Sequence, residues 1–271
     1  MPTSLPRART ATRSGTPATN GKRVAEDHRS DSVSLAYQRL RGLIITGELP
    51  PGARIAERGV ADHLGLSRTP VRSALHRLQQ EGFVAPHGRG RDQRLVVTPL
   101  TRADGREIML IVGHLEGLAG RIAAGLPKGR RMAVVSRLRR INRQLAAESR
   151  RRVPVTRIFD LDQEFHAAYI EDVIGTRLRA LHRAIKPQVE RYSRLYVSSL
   201  VEEIPTSVAE HEVIIKAIAK GDSAAAQHAV ETNWRNAATR LARVIDHLGE
   251  RGIWHLWNPE PLASIRTARA R

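Results

Sequence analysis

Cysteine is absent from all 271 residues, so neither a disulfide framework nor a thiolate metal site is available, which suits a reducing compartment. No apolar run reaches the length that spans a membrane. The signatures of common catalytic chemistry are missing as well: there is no G-x-S-x-G elbow and no phosphate-binding loop. Negative charge is scarce, with 27 Asp and Glu against 45 Lys and Arg, a formal net charge of +18. The excess is nearly all arginine spread along the chain, and it favours a polyanionic partner over an acidic small molecule. Residues 1–29 are rich in Arg, Thr, Pro, Ser and Gly but lack the continuous apolar core of a secretory signal. A disordered basic tail over residues 1–33 and a cytoplasmic protein are therefore expected.

What is present centres on Gly65-Leu66-Ser67-Arg68-Thr69-Pro70-Val71-Arg72, a polar turn running into an amphipathic helix. Ser67 or Thr69 can cap its first turn, Pro70 suits the first helical position, and Val71, Leu75 and Leu78 fall on one buried stripe. Arg68, Thr69 and Arg72 are left facing outward. Free N–H groups and a positive dipole end at a helix start, joined by cationic and hydroxyl side chains, match a phosphate backbone and the guanine edges of a major groove. Taken alone, the stretch also reads as a surface helix with solvated arginines.

The chain is long enough for two modest domains. A first helix is expected from Ser34 to Gly47, with Leu35, Leu40, Leu43 and Ile44 at helical spacing. Pro50-Pro51-Gly52 makes a turn, Arg54 and Ile55 a short extended piece, and residues 56–64 a second helix closed by Gly65. Two short helices around a glycine turn, the second basic at its start, form the pattern of a helix-turn-helix. Residues 83–86 and 94–98 read as strands flanking His87-Gly88-Arg89-Gly90-Arg91-Asp92, a hairpin with a basic tip. Beside a recognition helix it looks like a wing whose arginines reach into a groove; a plain solvated hairpin is the alternative. Residues 99–106 form a linker to a helical region over 107–248, followed by a tail over 249–271 in which Trp254 and Trp257 pack back on the bundle. The helical region divides into six helices. Leu110, Leu115, Leu118 and Ile122 line the first, and Val134, Leu138, Ile141 and Leu145 the second. The third spans about Thr156 to Val173, the fourth contains Pro187, the fifth covers Val208 to Lys220 and the sixth Ser223 to Leu248. The expected class is mainly α: a winged helix-turn-helix of three helices and a small β-hairpin, then an antiparallel bundle of about six helices.

The runs PPGARIAE, LGLSRTPVR and RLQQEGFV, with the glycine and arginine hairpin after them, resemble the winged-helix domain of the GntR family of bacterial transcription regulators. The runs HLEGLAGRIAA, FDLDQEFHAAYIEDVIGTRLRAL, EHEVIIKAIAKGDSAAAQHAV and NWRNAATRLA resemble the FCD ligand-sensing domain of its FadR branch, six helices being closer to the VanR subgroup. By position, the resemblance implies DNA contacts at Arg58, Ser67, Arg68, Thr69, Arg72, His87 and Gly88. Arg68 and Arg72 are placed on base edges, and Arg54 and Arg89 on phosphates.

Asp162 and His166 are four residues apart and share a helix face. His211 and Asn233 on later helices can converge with them. In many relatives of this branch an Asp and three His hold a divalent metal, zinc or similar, that helps grip a carboxylate ligand; Asp162, His166 and His211 match three of those positions. Family spacing puts Asn233 at the fourth, where an amide oxygen is a poorer zinc donor than imidazole. His228, five residues earlier, lies round the helix from that face. The alternative is an Asp162–His166 hydrogen bond beside a satisfied core histidine. Relatives often carry an inward arginine four residues before the glutamate of the first bundle helix, but this chain has Val112 before Glu116. A carboxylate clamp is therefore sought at Arg191 or Arg194, with Tyr192 in the same cavity; core packing is the other role for Tyr192 and Tyr196.

The resemblance implies a transcription regulator, more often a repressor, that binds a short palindrome on double-stranded DNA as a homodimer and answers to a small metabolite, an organic acid. A sequence-indifferent basic DNA-binding protein is a second reading. A metal-dependent hydrolase using Asp162, His166 and His211 is a third, for which no separate general base is in view.

Overall fold

Gly65 sits at φ 66°, a left-handed backbone that glycine adopts without steric cost, and there it ends one helix and turns the chain into the next. The computed structural model describes residues 20–252 apart from 91, 92, 152 and 172, so the tail before Asn20 and the pair Trp254 and Trp257 lie outside the described residues. Helix α1 spans Asn20–Thr46, α2 Glu57–Leu64 and α3 Arg68–Gln80. Leu40 and Ile44 from α1, Val60 from α2, and Val71, Leu75 and Leu78 from α3 meet in one apolar cluster. The first helix begins at Asn20 rather than Ser34, so residues 20–33, expected to be disordered, are helical. The stretch has no apolar face, but its Lys, Arg, Ala and Glu are good helix formers, and extending a helix already nucleated downstream is cheap. Ser67 holds the cap position of α3 with extended backbone and no side-chain hydrogen bond. Pro70 falls third in α3, not first, still inside the turn whose N–H groups lack intrahelical partners.

Strands β1 (Arg54–Ile55), β2 (Val84–His87) and β3 (Arg94–Val97) form an antiparallel sheet in the order β1-β3-β2. The expected hairpin is thus three-stranded, with Arg54 opposite Val96 and Val84 opposite Val97. The sheet closes the winged helix-turn-helix by bringing Val84 and Val97 onto its core.

Six further helices follow among the described residues: α4 (Arg102–Ala124), α5 (Lys128–Glu148), α6 (Val155–Ala167), α7 (Thr176–Leu200), α8 (Ile204–Lys220) and α9 (Ser223–Leu248). The buried face of α4 differs from the expected one. Leu118 is 42 % exposed and Leu110, Leu115 and Ile122 are only half-buried, while Gly105, Gly113, Gly117 and Gly120 face inward with Val112 and Glu116. A Cβ on Gly113 would lie 2.8 Å from Trp234 Cβ, and one on Gly117 2.8 Å from Glu231 Cγ. The absent side chains let α9 approach closely, so small residues rather than large aliphatics mark this contact. On α5, Val135 is buried and Val134 half-buried, and α6 stops at Ala167, before the expected Val173.

Helix α7 joins the two regions. Gln188 Nε2 donates to Glu81 O (2.7 Å) and Arg191 to Thr98 O (2.6 Å), both on the winged domain. The Tyr192 hydroxyl accepts from Thr101 N–H (2.9 Å) and donates toward Asp104 Oδ2 (2.7 Å), fixing the linker. Leu100 and Arg251 exchange backbone hydrogen bonds of 2.9 and 3.0 Å, so the chain after α9 also returns to the linker.

Candidate functional site

The start of α3 is an exposed cationic surface. Arg58, Ser67, Thr69 and Arg54 are exposed, as are His87, Gly88 and Arg89 at the end of the hairpin. Arg68 and Arg72 are 62 % and 66 % exposed, but their guanidinium groups are not independent. Arg72 grips Glu57 of α2 with Nε at 3.2 and 3.1 Å from the two carboxylate oxygens and Nη2 at 2.9 Å, while Arg68 stands 3.7 Å away. The hydrogen bond from Arg72, then the nearby charges, hold the Glu57 carboxyl below its ordinary value. The pair fixes the direction of a long flexible side chain at the helix start. Sequence reading passed over Glu57, although its place fifteen residues before Arg72, on the preceding helix of the motif, is the available signal.

A second site lies inside the bundle. Asp162 and His166 on α6 and His211 on α8 present one ligand atom each within 4.8 Å of one another. His166 Nδ1 is 2.7 Å from Glu116 Oε2 and 2.8 Å from the Tyr169 hydroxyl. A carboxylate only accepts, so Nδ1 donates here and Nε2 is the ring atom left for any ligand. His211 is arranged the same way. Its Nδ1 donates to Asn142 Oδ1 at 3.2 Å, and the amide is oriented by Asn142 Nδ2 donating to Val208 O at 3.2 Å. Its Nε2 is buried without a hydrogen-bond partner, with Asp162 Oδ1 3.6 Å away. The ring is fully buried and stacks on Phe165 at 3.7 Å and 8°. Burial first, then the charges of His166 and Arg240, hold the His211 imidazole well below its ordinary value and keep it neutral. Burial pushes the Asp162 carboxyl up, against the pull of His166, Lys186 and Arg240.

Two imidazoles, each anchored through Nδ1, and one carboxylate oxygen fit a divalent ion of borderline character. The orphaned His211 Nε2 is the observation that favours this over a satisfied core histidine. Asn233 lines the same cavity of about 90 Å³. Its Nδ2 donates to Glu210 Oε2 at 2.7 Å, which leaves the carbonyl oxygen as the atom it has to offer. His228 is exposed on the other side of α9.

Arg191 and Tyr192, sought as an effector clamp, do not reach this cavity. Both are buried at the domain junction, and burial pushes Arg191 down to about 10. Arg194 lies with its guanidinium carbon 4.9 Å from the centre of the Phe159 ring, which itself lines the cavity. The cation that does line it is Arg240 of α9, fixed by Glu210 at 2.9 and 3.2 Å and by Ser207 at 3.3 Å.

Behind the cavity sits Glu116, fully buried and bound by five donors. His166, Tyr169 (3.0 Å) and Trp234 (2.9 Å) meet Oε2, while His182 and Lys186, each at 2.9 Å, meet Oε1. Burial alone would raise its carboxyl, but Lys186 and His166 outweigh that and hold it well below the usual range. Burial, with Glu116 beside it, pushes Tyr169 well up. Sequence reading missed this hub. Its signals were a lone acid in the glycine face of α4 and a His and Lys four apart on α7.

Residues 33–91 match the family described as bacterial regulatory proteins, gntR family, and residues 107–236 match the FCD domain. An HTH-type transcriptional regulator in an unstable DNA locus of Streptomyces ambofaciens is 30% identical over 216 residues, spanning 79% of this chain and 86% of that one. The solved structure of a putative GntR transcriptional regulator from Rhodococcus sp. RHA1 overlays with a TM-score of 0.58 at 24% identity, covering 78% of this chain and 97% of its own. That of E. coli McbR/YncC does so with a TM-score of 0.57 at 20% identity and the same coverage of 78% and 97%. These two likenesses concern the fold.

Proposed function

The chain belongs to the GntR family, as a DNA-binding transcription regulator with an FCD effector-binding domain and no enzymatic activity, and from that premise we propose that it is a metal-dependent, organic-acid-responsive repressor. Two copies bind a short palindrome, the two α3 helices entering successive major grooves. Arg68 and Arg72 read base edges, Ser67, Thr69, Arg58, His87 and Gly88 complete the contact, and Arg54 and Arg89 meet phosphates. A DNA target sets this work in the cytoplasm; among the described residues no helix is long and apolar enough to cross a membrane. The second copy has an apolar face to meet on α4, where Ile111 and Leu118 are each 42 % exposed beside half-buried Leu115 and Ile122.

Asp162, His166 Nε2 and His211 Nε2 would hold the divalent ion, with the Asn233 carbonyl as fourth donor. When bound, the ion supplies a Lewis-acid grip on a ligand carboxylate. Arg240, set in the cavity wall by Glu210 and Ser207, offers the second grip on the same acid. A cavity of about 90 Å³ suits a small acid. Arg240 thereby takes the part that Val112 cannot.

The reading rests on one observation above the others, the buried and unpartnered His211 Nε2 facing Asp162. Elemental analysis of protein grown with metal supplement tests it. Close to one zinc or similar ion per chain is expected, falling at least tenfold in His211→Ala; a trace in the wild type would remove the metal from the account.

A further inference from the structure

Apart from the metal site, the structure has a cleft of about 490 Å³ between the DNA-binding domain and the bundle. Arg41 of α1 forms one wall, and the end of α6 with α7 the other. Its lining is rich in cations: Arg41 faces Arg179, His182, Arg183 and Lys186, with Glu171 and Glu190 the acids present. Most of the nearby charge is already balanced. Lys186 and His182 spend their hydrogen bonds on Glu116 Oε1, and Glu171 turns to Arg137 at 3.7 Å. That leaves three arginines and one uncompensated carboxylate, Glu190. Among the described residues neither Arg41 nor Arg183 makes an ion pair, and Arg179 donates only to the backbone carbonyls of Glu171 and Ile174. The Nε–H groups of Arg41 and Arg179 are buried with no acceptor. A buried donor without an acceptor is costly, and both of these belong to arginines that line the cleft.

We infer that this cleft binds a small phosphorylated metabolite, a phosphate monoester, at a site separate from the metal cavity. Guanidinium forks match tetrahedral oxyanions, and Arg41 and Arg183 supply them from both domains, with the charge of Arg179 held beside them by its bonds to Glu171 O and Ile174 O. The cleft is within the size range of ligand sites, roughly 300–1,000 Å³, and holds a sugar phosphate with its carbon skeleton against Ala167, Ile170 and Pro187. The occupant ties α1 to α7 and stiffens the junction that Gln188 and Arg191 already make. Glu116 is the partition between the two cavities: one oxygen faces His166 and the other His182 and Lys186. A ligand at either side therefore acts on the same buried carboxylate.

Titration calorimetry on the full chain with ribose 5-phosphate, against ribose as the neutral control, tests the site. Saturable binding of the phosphate alone is expected, weakened at least tenfold in Arg41→Gln and in Arg183→Gln, and unchanged in His211→Ala. Arg183 is exposed, so its variant keeps the test open if Arg41→Gln does not fold. Equal response to ribose and its phosphate, or undiminished affinity in the arginine variants, overturns the inference. So does a loss of operator affinity in those variants with no phosphorylated ligand present, which would make the cleft a DNA-backbone contact.

Discussion

Arg72→Ala is expected to bind operator and random DNA with nearly equal affinity while its circular dichroism and oligomeric state stay those of the wild type. Arg72 is exposed and, among the described residues, bonds only to Glu57, so its loss removes nothing from either core. A bidentate arginine on a base pair contributes about 1–3 kcal/mol of discrimination, roughly 5- to 150-fold, and the two half-sites of the proposed dimer would apply it twice. Glu57 sharpens the expectation. By holding the guanidinium from behind at 2.9 Å it orders the fork before contact, so Glu57→Ala should weaken operator binding more than random binding, though less than Arg72→Ala. Competition gel shifts at fixed salt separate the two affinities. Unchanged specificity in Arg72→Ala would move base reading elsewhere on the surface, and a protein whose affinity depended on salt alone would be the sequence-indifferent DNA binder that its +18 charge also allows.

The second large effect is on stability. Glu116→Gln should cost about 3–5 kcal/mol in chemical denaturation, because it leaves Lys186, itself buried, without its carboxylate and puts an amide NH2 in place of one of the two oxygens that accept from His166, Tyr169 and Trp234 on one side and His182 and Lys186 on the other. The measurement is made with chelator present, so that loss of metal binding does not enter. Adding Lys186→Met to the variant should recover a large part of the deficit, since the unpaired buried charge goes with it. A loss below about 1 kcal/mol in the single variant would show that Glu116 does not hold α4, α6, α7 and α9 together.

How far the amino-acid sequence discloses all this depends on how local each signal is. The start of α3 was legible because its cause lies within a few residues: a left-handed Gly65, a proline in the first turn and an apolar stripe of period 3.6. Asp162 and His166 were legible for the same reason, being one helical turn apart. The buried face of α4 was not, because the hydrophobic pattern points to Leu115 and Leu118 whereas close approach to α9 selects glycines. Arg240 and Asn142 act at the cavity from α9 and α5, and nothing in their own neighbourhoods marks them. Arg191 and Tyr192 looked like ligand groups on a basic, aromatic helix, yet the pairing of α7 with the linker turns them to the domain junction. The onset of α1 at Asn20 escaped pattern reading since that stretch is helical without an apolar face.

The central claim is that what the α6, α8 and α9 cavity holds sets how tightly α3 grips its operator. Fluorescence anisotropy on a labelled operator measures this directly, using zinc-loaded protein against a panel of two- to four-carbon carboxylates. At least one acid is predicted to change the operator Kd by about fivefold or more. The response should vanish in His211→Ala and fall in Arg240→Gln. An acid that binds the zinc-loaded protein by calorimetry but leaves the operator Kd unmoved would contradict the claim, as would a shift that survives undiminished in His211→Ala.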